Sequence, residues 1–122
     1  MNESLREQHL KGITDETATA LYDSLCTEFE KQYGAINGSA QHIIGDIAMM
    51  EQNKRKLYDD VRRRGVIVTV KNGRQEFTQQ NKSIAAARGL AEQQRKLLNE
   101  LKLTPASQKA DASALEDDFE SF

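Results

Sequence analysis

Residues 39–74 read SAQHIIGDIAMMEQNKRKLYDDVRRRGVIVTVKNGR, and a change of period inside this stretch decides the fold. Up to Arg64 the apolar residues recur at threes and fours: Ile43, Ile47, Met50, Leu57 and Val61, widened by Ile44, Met49 and Tyr58. That spacing marks one face of an amphipathic helix. It predicts a helix from a Ser39 cap to Arg64, about 26 residues and so ~39 Å at the usual rise. Lys54 falls where the stripe expects an apolar residue, which makes the spacing close to a heptad with one polar break. Gly65 then ends the helix. Val66-Ile67-Val68-Thr69-Val70 is β-branched or nearly so at every position, which suits a strand better than a helix. Asn72-Gly73 signals a type I′ hairpin turn, and Gln75 to Thr78 supply the returning strand. A lone two-stranded hairpin is marginal in water, so it should pack on helices or pair with another subunit.

Working outward, Thr14 and Asp15 offer an N-cap, and Ala18, Leu21, Leu25, Phe29 and Tyr33 form an apolar face that stops at Gly34. Residues 1–13 show little periodicity and are interrupted by Gly12, which reads as a loose arm or a short fraying helix. Beyond the hairpin a third helix is expected from about Asn81 to Leu101, with Ile84, Ala87, Ala91, Leu97, Leu98 and Leu101 on its apolar side. Thr104-Pro105 should open a further helical turn. From Lys109 to Phe122 the chain is acidic and rich in small residues, the composition of a disordered tail carrying a short docking motif. The fold class is therefore mainly α: an antiparallel helical hairpin with a long second helix, a small β-hairpin insertion and a third helix.

Composition narrows the function. The chain has 122 residues, 38% hydrophobic and 30% charged, with no Trp. That suits one domain with a thin core that leans on partners. No apolar run approaches the ~20 residues a membrane-spanning helix needs, and the first residues lack a signal-peptide pattern. The single cysteine, Cys26, cannot form an internal disulfide, which points to a reducing, cytoplasmic setting. His9 and His42 stand far apart in sequence without a second cysteine, so no metal site is expected. No phosphate-binding glycine loop, GxSxG or HExxH is present. Asp59-Asp60 is an adjacent pair whose side chains leave a helix about 100° apart, and Arg62 and Arg63 are near enough for ordinary salt bridging. Cys26 with His42 is the other conceivable catalytic pair, but Cys26 sits beside an apolar face and reads as a buried thiol. Neither catalytic residues nor a cofactor are expected.

Charge is uneven. Residues 1–50 hold three basic and eight acidic side chains, residues 51–109 fourteen basic and six acidic, and residues 110–122 five acidic and none basic. A basic middle of net +8 between two flanks of net −5 is a pattern for binding a polyanion. Lys54, Arg55 and Lys56 cover three faces of one turn, and Arg62, Arg63 and Arg64 close the long helix. One or two cations complement a helix C-terminus; three, followed by Lys71 and Arg74 on the hairpin, exceed that need. These eight residues are the expected phosphate contacts, sequence-blind and salt-sensitive.

The segment Leu97-Leu98-Asn99-Glu100-Leu101-Lys102-Leu103-Thr104-Pro105-Ala106-Ser107 resembles the end of the last long helix in a family of phage terminase small subunits. The order of elements across residues 15–108 is similar too, with Tyr22 to Tyr33 in the leading helix, Gly65 and Gly73 at the hairpin, and Asn81 opening the final helix. Two positions depart from the family pattern: Lys82 stands where members often have Pro, and Gln108 where they often have Arg. The resemblance implies a non-catalytic subunit that assembles as a ring of roughly eight to ten copies. Such a ring binds double-stranded viral DNA and recruits the large ATPase and nuclease subunit in the host cell cytoplasm. It divides the chain into a flexible arm (1–13), a helical oligomerisation and DNA-binding domain (14–108) and an acidic tail (109–122). In that tail Leu115, Phe119 and Phe122 would anchor the large subunit, with Asp117, Asp118 and Glu120 steering it. Two other readings fit the residues alone: a dimeric DNA-binding regulator, or a helical adaptor that binds no DNA.

Overall fold

The computed structural model describes residues 1–103. Four helices, α1 (Glu3–Leu10), α2 (Glu16–Tyr33), α3 (Gly38–Arg64) and α4 (Lys82–Glu100), make up the body, and a two-stranded antiparallel sheet of β1 (Ile67–Asn72) and β2 (Gln75–Gln80) is inserted between α3 and α4 in chain order. Helix α3 is the spine, packed against α1, α2 and, most extensively, α4. The core is small: Ile13, Ala18, Tyr22, Cys26, Ala40, Ile44, Ile47, Ala48, Leu101 and Leu103. Leu101 and Leu103 of the leucine-rich ending thus close the bottom of this core.

Each helix begins on an asparagine or aspartate whose side chain accepts from amides of the first turn. Asn2 does so for α1, Asp15 for α2, Asn37 for α3 and Asn81 for α4. Ser39 was the expected cap of the long helix. Asn37 takes that role instead, accepting from Ala40 N at 2.8 Å, so the cap sits two residues earlier and α3 starts at Gly38. Gly34 and Gly65 end α2 and α3.

The first residues are not a loose arm here; the helical alternative is what forms. Arg6 clamps Asp23 of α2 through two bonds of 2.8 Å, and the side-chain amide of Gln41 on α3 bonds both the N–H and the carbonyl of Asn2. His9 packs closely on α3 because position 45 is glycine: a Cβ there would stand 2.9 Å from the ring. Helical periodicity over eight residues is too short to reveal this, since the partners lie 17 to 39 residues away.

The hairpin forms as expected but turns one residue later. The register pairs Asn72 with Gln75, so Gly73 and Arg74 are the loop. Gly73 has φ +64 while Arg74 does not enter positive φ. Glycine first and an ordinary residue second is the pattern of a type II′ turn, not the expected type I′. Val68, Val70 and Phe77 share one face by this register, and Ile67, Thr69 and Thr78 the other. Little helical surface covers either: Val66, Ile67 and Phe77 are 56%, 65% and 46% exposed.

A chain of hydrogen bonds joins α1, α2 and α3. Gln41 donates through Nε2 to the buried Tyr22 hydroxyl at 3.0 Å, leaving that hydroxyl to donate to His9 Nδ1 at 2.7 Å. Neutral His9 then carries its hydrogen on Nε2 and donates it to His42 Nδ1 at 2.8 Å. Burial first, and the neighbouring His42 second, push His9 below its ordinary value of 6.5, with Asp46 opposing them. Because the folded form binds its proton less tightly than the unfolded chain, this stabilisation is complete above about pH 6.5 and is lost as pH falls below it.

Two predictions follow from these contacts. Gln52, buried on α3, accepts from Thr14 N at 2.6 Å and Asp15 N at 3.0 Å and donates to Gly12 O at 3.0 Å. Its replacement by Ala strands buried backbone groups and should cost about 1–3 kcal/mol in urea unfolding, whereas Asn53→Ala on the exposed side should change stability by less than ~0.5 kcal/mol. The wild type should also lose stability on moving from pH 7 to about pH 5, and His9→Gln with His42→Gln should lose distinctly less over the same window.

Candidate nucleic-acid interface

The eight nominated cations do not share one surface. Lys54 turns inward between α3 and α4, where its Nζ lies 2.8 Å from Glu51 and donates to Gln94 Oε1 at 2.8 Å. Its place in the apolar stripe is explained by this contact: the position faces a buried polar partner rather than bulk water. Arg55 reaches back to Asp15 at 3.0 Å, reinforcing the cap of α2. Burial raises the Asp15 carboxyl, but the amides of Ala18 and Thr17 together with Arg55 outweigh it and hold the group below its ordinary value.

The triple arginine is held by carboxylates one turn earlier. Arg62 pairs with Asp59, Arg63 with Asp60 at 3.4 Å, and Arg64 with Asp60 through bonds of 2.7 and 2.6 Å. Asp60 also accepts from the Ser83 hydroxyl at 2.7 Å and from Asn81 Nδ2 at 3.3 Å, tying the end of α3 to the start of α4. The Arg64 guanidinium, then the Ser83 hydroxyl and Asn81, keep Asp60 far below the usual carboxylate range despite the burial cost. Three arginines and two aspartates leave residues 59–64 with a net charge of only +1. Lys71 is paired across the hairpin with Glu76 at 3.3 Å. Lys56 and Arg74 make no ion pair among the described residues.

The same holds for Lys82, Arg88, Arg95 and Lys96, all exposed on α4. The net charge of the basic middle contained them, but they are scattered in sequence and gather only once wound on a helix. Leu115, Asp117, Asp118, Phe119, Glu120 and Phe122 lie outside the described residues, as does the turn expected at Thr104-Pro105.

Neither of the two pairs weighed for catalysis from sequence is brought together as a reactive pair. Asp59 and Asp60 are engaged by different arginines. Burial pushes the Cys26 thiol up to about 11, so little thiolate exists near neutral pH. His42 is bonded to His9, not to Cys26. Among the described residues no group of three His, Cys, Asp or Glu could hold a metal ion, and no helix is long and apolar enough to cross a membrane. What the surface offers is cations, an exposed hairpin and helix faces, all suited to binding.

A family model described as phage terminase, small subunit, matches residues 18–118. No curated protein and no solved structure matches the chain. The matched span takes in nearly all of α2 and the whole of α3, the hairpin and α4, including the buried leucines that end the last helix. Covering most of the sequence, it shows that this chain belongs to the phage terminase small-subunit family.

Proposed function

We propose that this chain acts in phage genome packaging as the non-catalytic subunit that assembles into a ring, binds double-stranded viral DNA and recruits the large ATPase and nuclease subunit. The family match over residues 18–118 carries the reading. Two physical features support it.

The first is the hairpin. Two strands with Ile67 and Phe77 open to water are unfavourable in an isolated monomer, and each strand keeps one edge unpaired among the described residues. Contact with a neighbouring copy would cover both the side chains and the edges. A ring uses a head-to-tail contact between two different surfaces, and the hairpin supplies one of them. The second feature is charge. Residues 51–109 are strongly basic although the whole chain has a net charge of −2, so the cations act locally on a polyanion. Contacts from Lys and Arg to phosphate give affinity without reading sequence, which suits a protein that engages a genome rather than a single operator. The acidic residues 109–122, with Leu115, Phe119 and Phe122 as apolar anchors, are assigned to the large subunit, where Asp117, Asp118 and Glu120 favour a basic groove.

Light scattering on a sizing column tests the assembly. The full-length chain should run as one species of on the order of eight to ten copies. Ile67→Asp combined with Phe77→Asp should reduce that species toward the single-chain mass of 13.7 kDa while helical circular dichroism is kept. A wild-type monomer or dimer at micromolar concentration would contradict the ring.

A further inference from the structure

We propose that the principal phosphate-contacting surface is the outward side of α4, built on Lys82, Arg88, Arg95 and Lys96, rather than the arginine cluster that ends α3. The inference deepens the DNA-binding reading above and rests on it.

Most of the cations at the end of α3 are already neutralised. Arg62, Arg63 and Arg64 all have aspartate partners. A phosphate approaching them also approaches Asp59 and Asp60, and Asp60 cannot move away because Ser83 and Asn81 hold it. Lys54 and Arg55 are bound into contacts between helices. The four α4 cations are exposed and have no ion pair among the described residues. Helix α4 holds four basic and two acidic side chains, so its excess of cations is modest, and what distinguishes it from residues 59–64 is that no carboxylate pairs with its cations among the described residues.

Their placement on the helix is regular. Arg88 and Arg95 are seven residues apart, so they lie within ~20° of each other around the axis and ~10 Å apart along it. Lys82 and Lys96 are fourteen apart, within ~40° and separated by ~21 Å. The two rows stand roughly 110° apart on the side opposite Ala87 and Gln94, which are buried against α3. Ala85, Ala86 and Gly89 fill the same outward side with short side chains, so the cations stand clear of their surroundings. A Cβ at Gly89 would meet nothing within 4 Å, which confirms that this side is open. Glu92 and Glu100 share the side, yet no ion pair joins either to Lys82, Arg88, Arg95 or Lys96 among the described residues. Two cationic rows on a rigid helix of 19 residues, ~28 Å long, offer several phosphate contacts at fixed spacing. Rows of this kind contact the phosphate backbone of a duplex and read no base.

The test compares full-length proteins by fluorescence anisotropy on a labelled duplex of 30 base pairs across a salt series. Arg88→Gln with Arg95→Gln should lower affinity roughly tenfold or more and flatten the slope of log K against log salt by about two, one for each contact removed. Arg62→Gln with Arg63→Gln and Arg64→Gln should change the slope by less than one. Arg88→Lys with Arg95→Lys should keep binding, which separates lost charge from a damaged helix. Unchanged affinity and slope in the Arg88/Arg95 glutamine variant, while wild type binds, would overturn this assignment and leave the DNA-binding reading standing. A fall in affinity accompanied by a smaller native mass would also overturn it, since the face would then be a contact between copies. Absence of duplex binding by wild type at 50 mM salt would remove the DNA-binding reading itself.

Discussion

Three side-chain amides hold the helices in register, and the rest of the structure depends on them. Gln41 ties α3 to Asn2 and to the Tyr22 hydroxyl. Gln52 ties it to the backbone of Gly12, Thr14 and Asp15. Gln94 ties α4 to the Ile47 carbonyl, Glu51 and Lys54. All three residues are buried, and an amide can both donate and accept, so each satisfies several groups that no apolar residue could. A core of three alanines, three isoleucines, two leucines, Cys26 and the Tyr22 ring is too small to choose one sliding position of helix on helix by shape alone. Buried polar partners make the wrong positions costly, because each shift leaves a donor or acceptor unpaired away from water.

That economy separates what holds the chain together from what it displays. Lys54, Arg55 and Arg64 serve the interior and the joints between helices. The hairpin, held at its base by the bond from Asn81 N to the Val66 carbonyl at 2.7 Å, carries its apolar side chains outward. Helix α4 gives one face to α3 and leaves the other charged. A body of this kind gains little by standing alone, and membership of the terminase small-subunit family fits that physical reading.

Much of the fold was legible because its signals are local. The long helix expected from the apolar period of Ile43 to Val61, the strand after Gly65 and the Asn81 start of the last helix are all present, although of the expected apolar stripe only Ile44 and Ile47 are fully buried and the buried face turns toward Ala40, Gln41, Ala48 and Gln52. What periodicity missed was set by polar side chains, some of them paired with distant partners. Asn37 displaced Ser39 as the cap because its carboxamide reaches the amide of Ala40. The first helix is fixed by Asp23 and Gln41, neither visible from residues 1–13. The roles of Gln41 and Gln52 leave no mark on the sequence pattern, since periodicity weighs only apolar side chains. The arrangement of the cations was the least legible part. Consecutive cations draw attention in sequence, yet on a helix a run such as Arg62-Arg63-Arg64 points in three directions and meets Asp59 and Asp60 one turn back. Cations seven residues apart stand in line, and nothing in a linear reading marks them.

The account makes this protein a link between viral DNA and the motor that moves it, and one measurement bears on that most directly. Immobilised viral duplex DNA is incubated with the terminase large subunit of the same phage, with and without the full-length chain, and the retained large subunit is quantified at physiological salt. The account predicts strong retention only when this chain is present. Equal retention in its absence, or none in its presence, would contradict it.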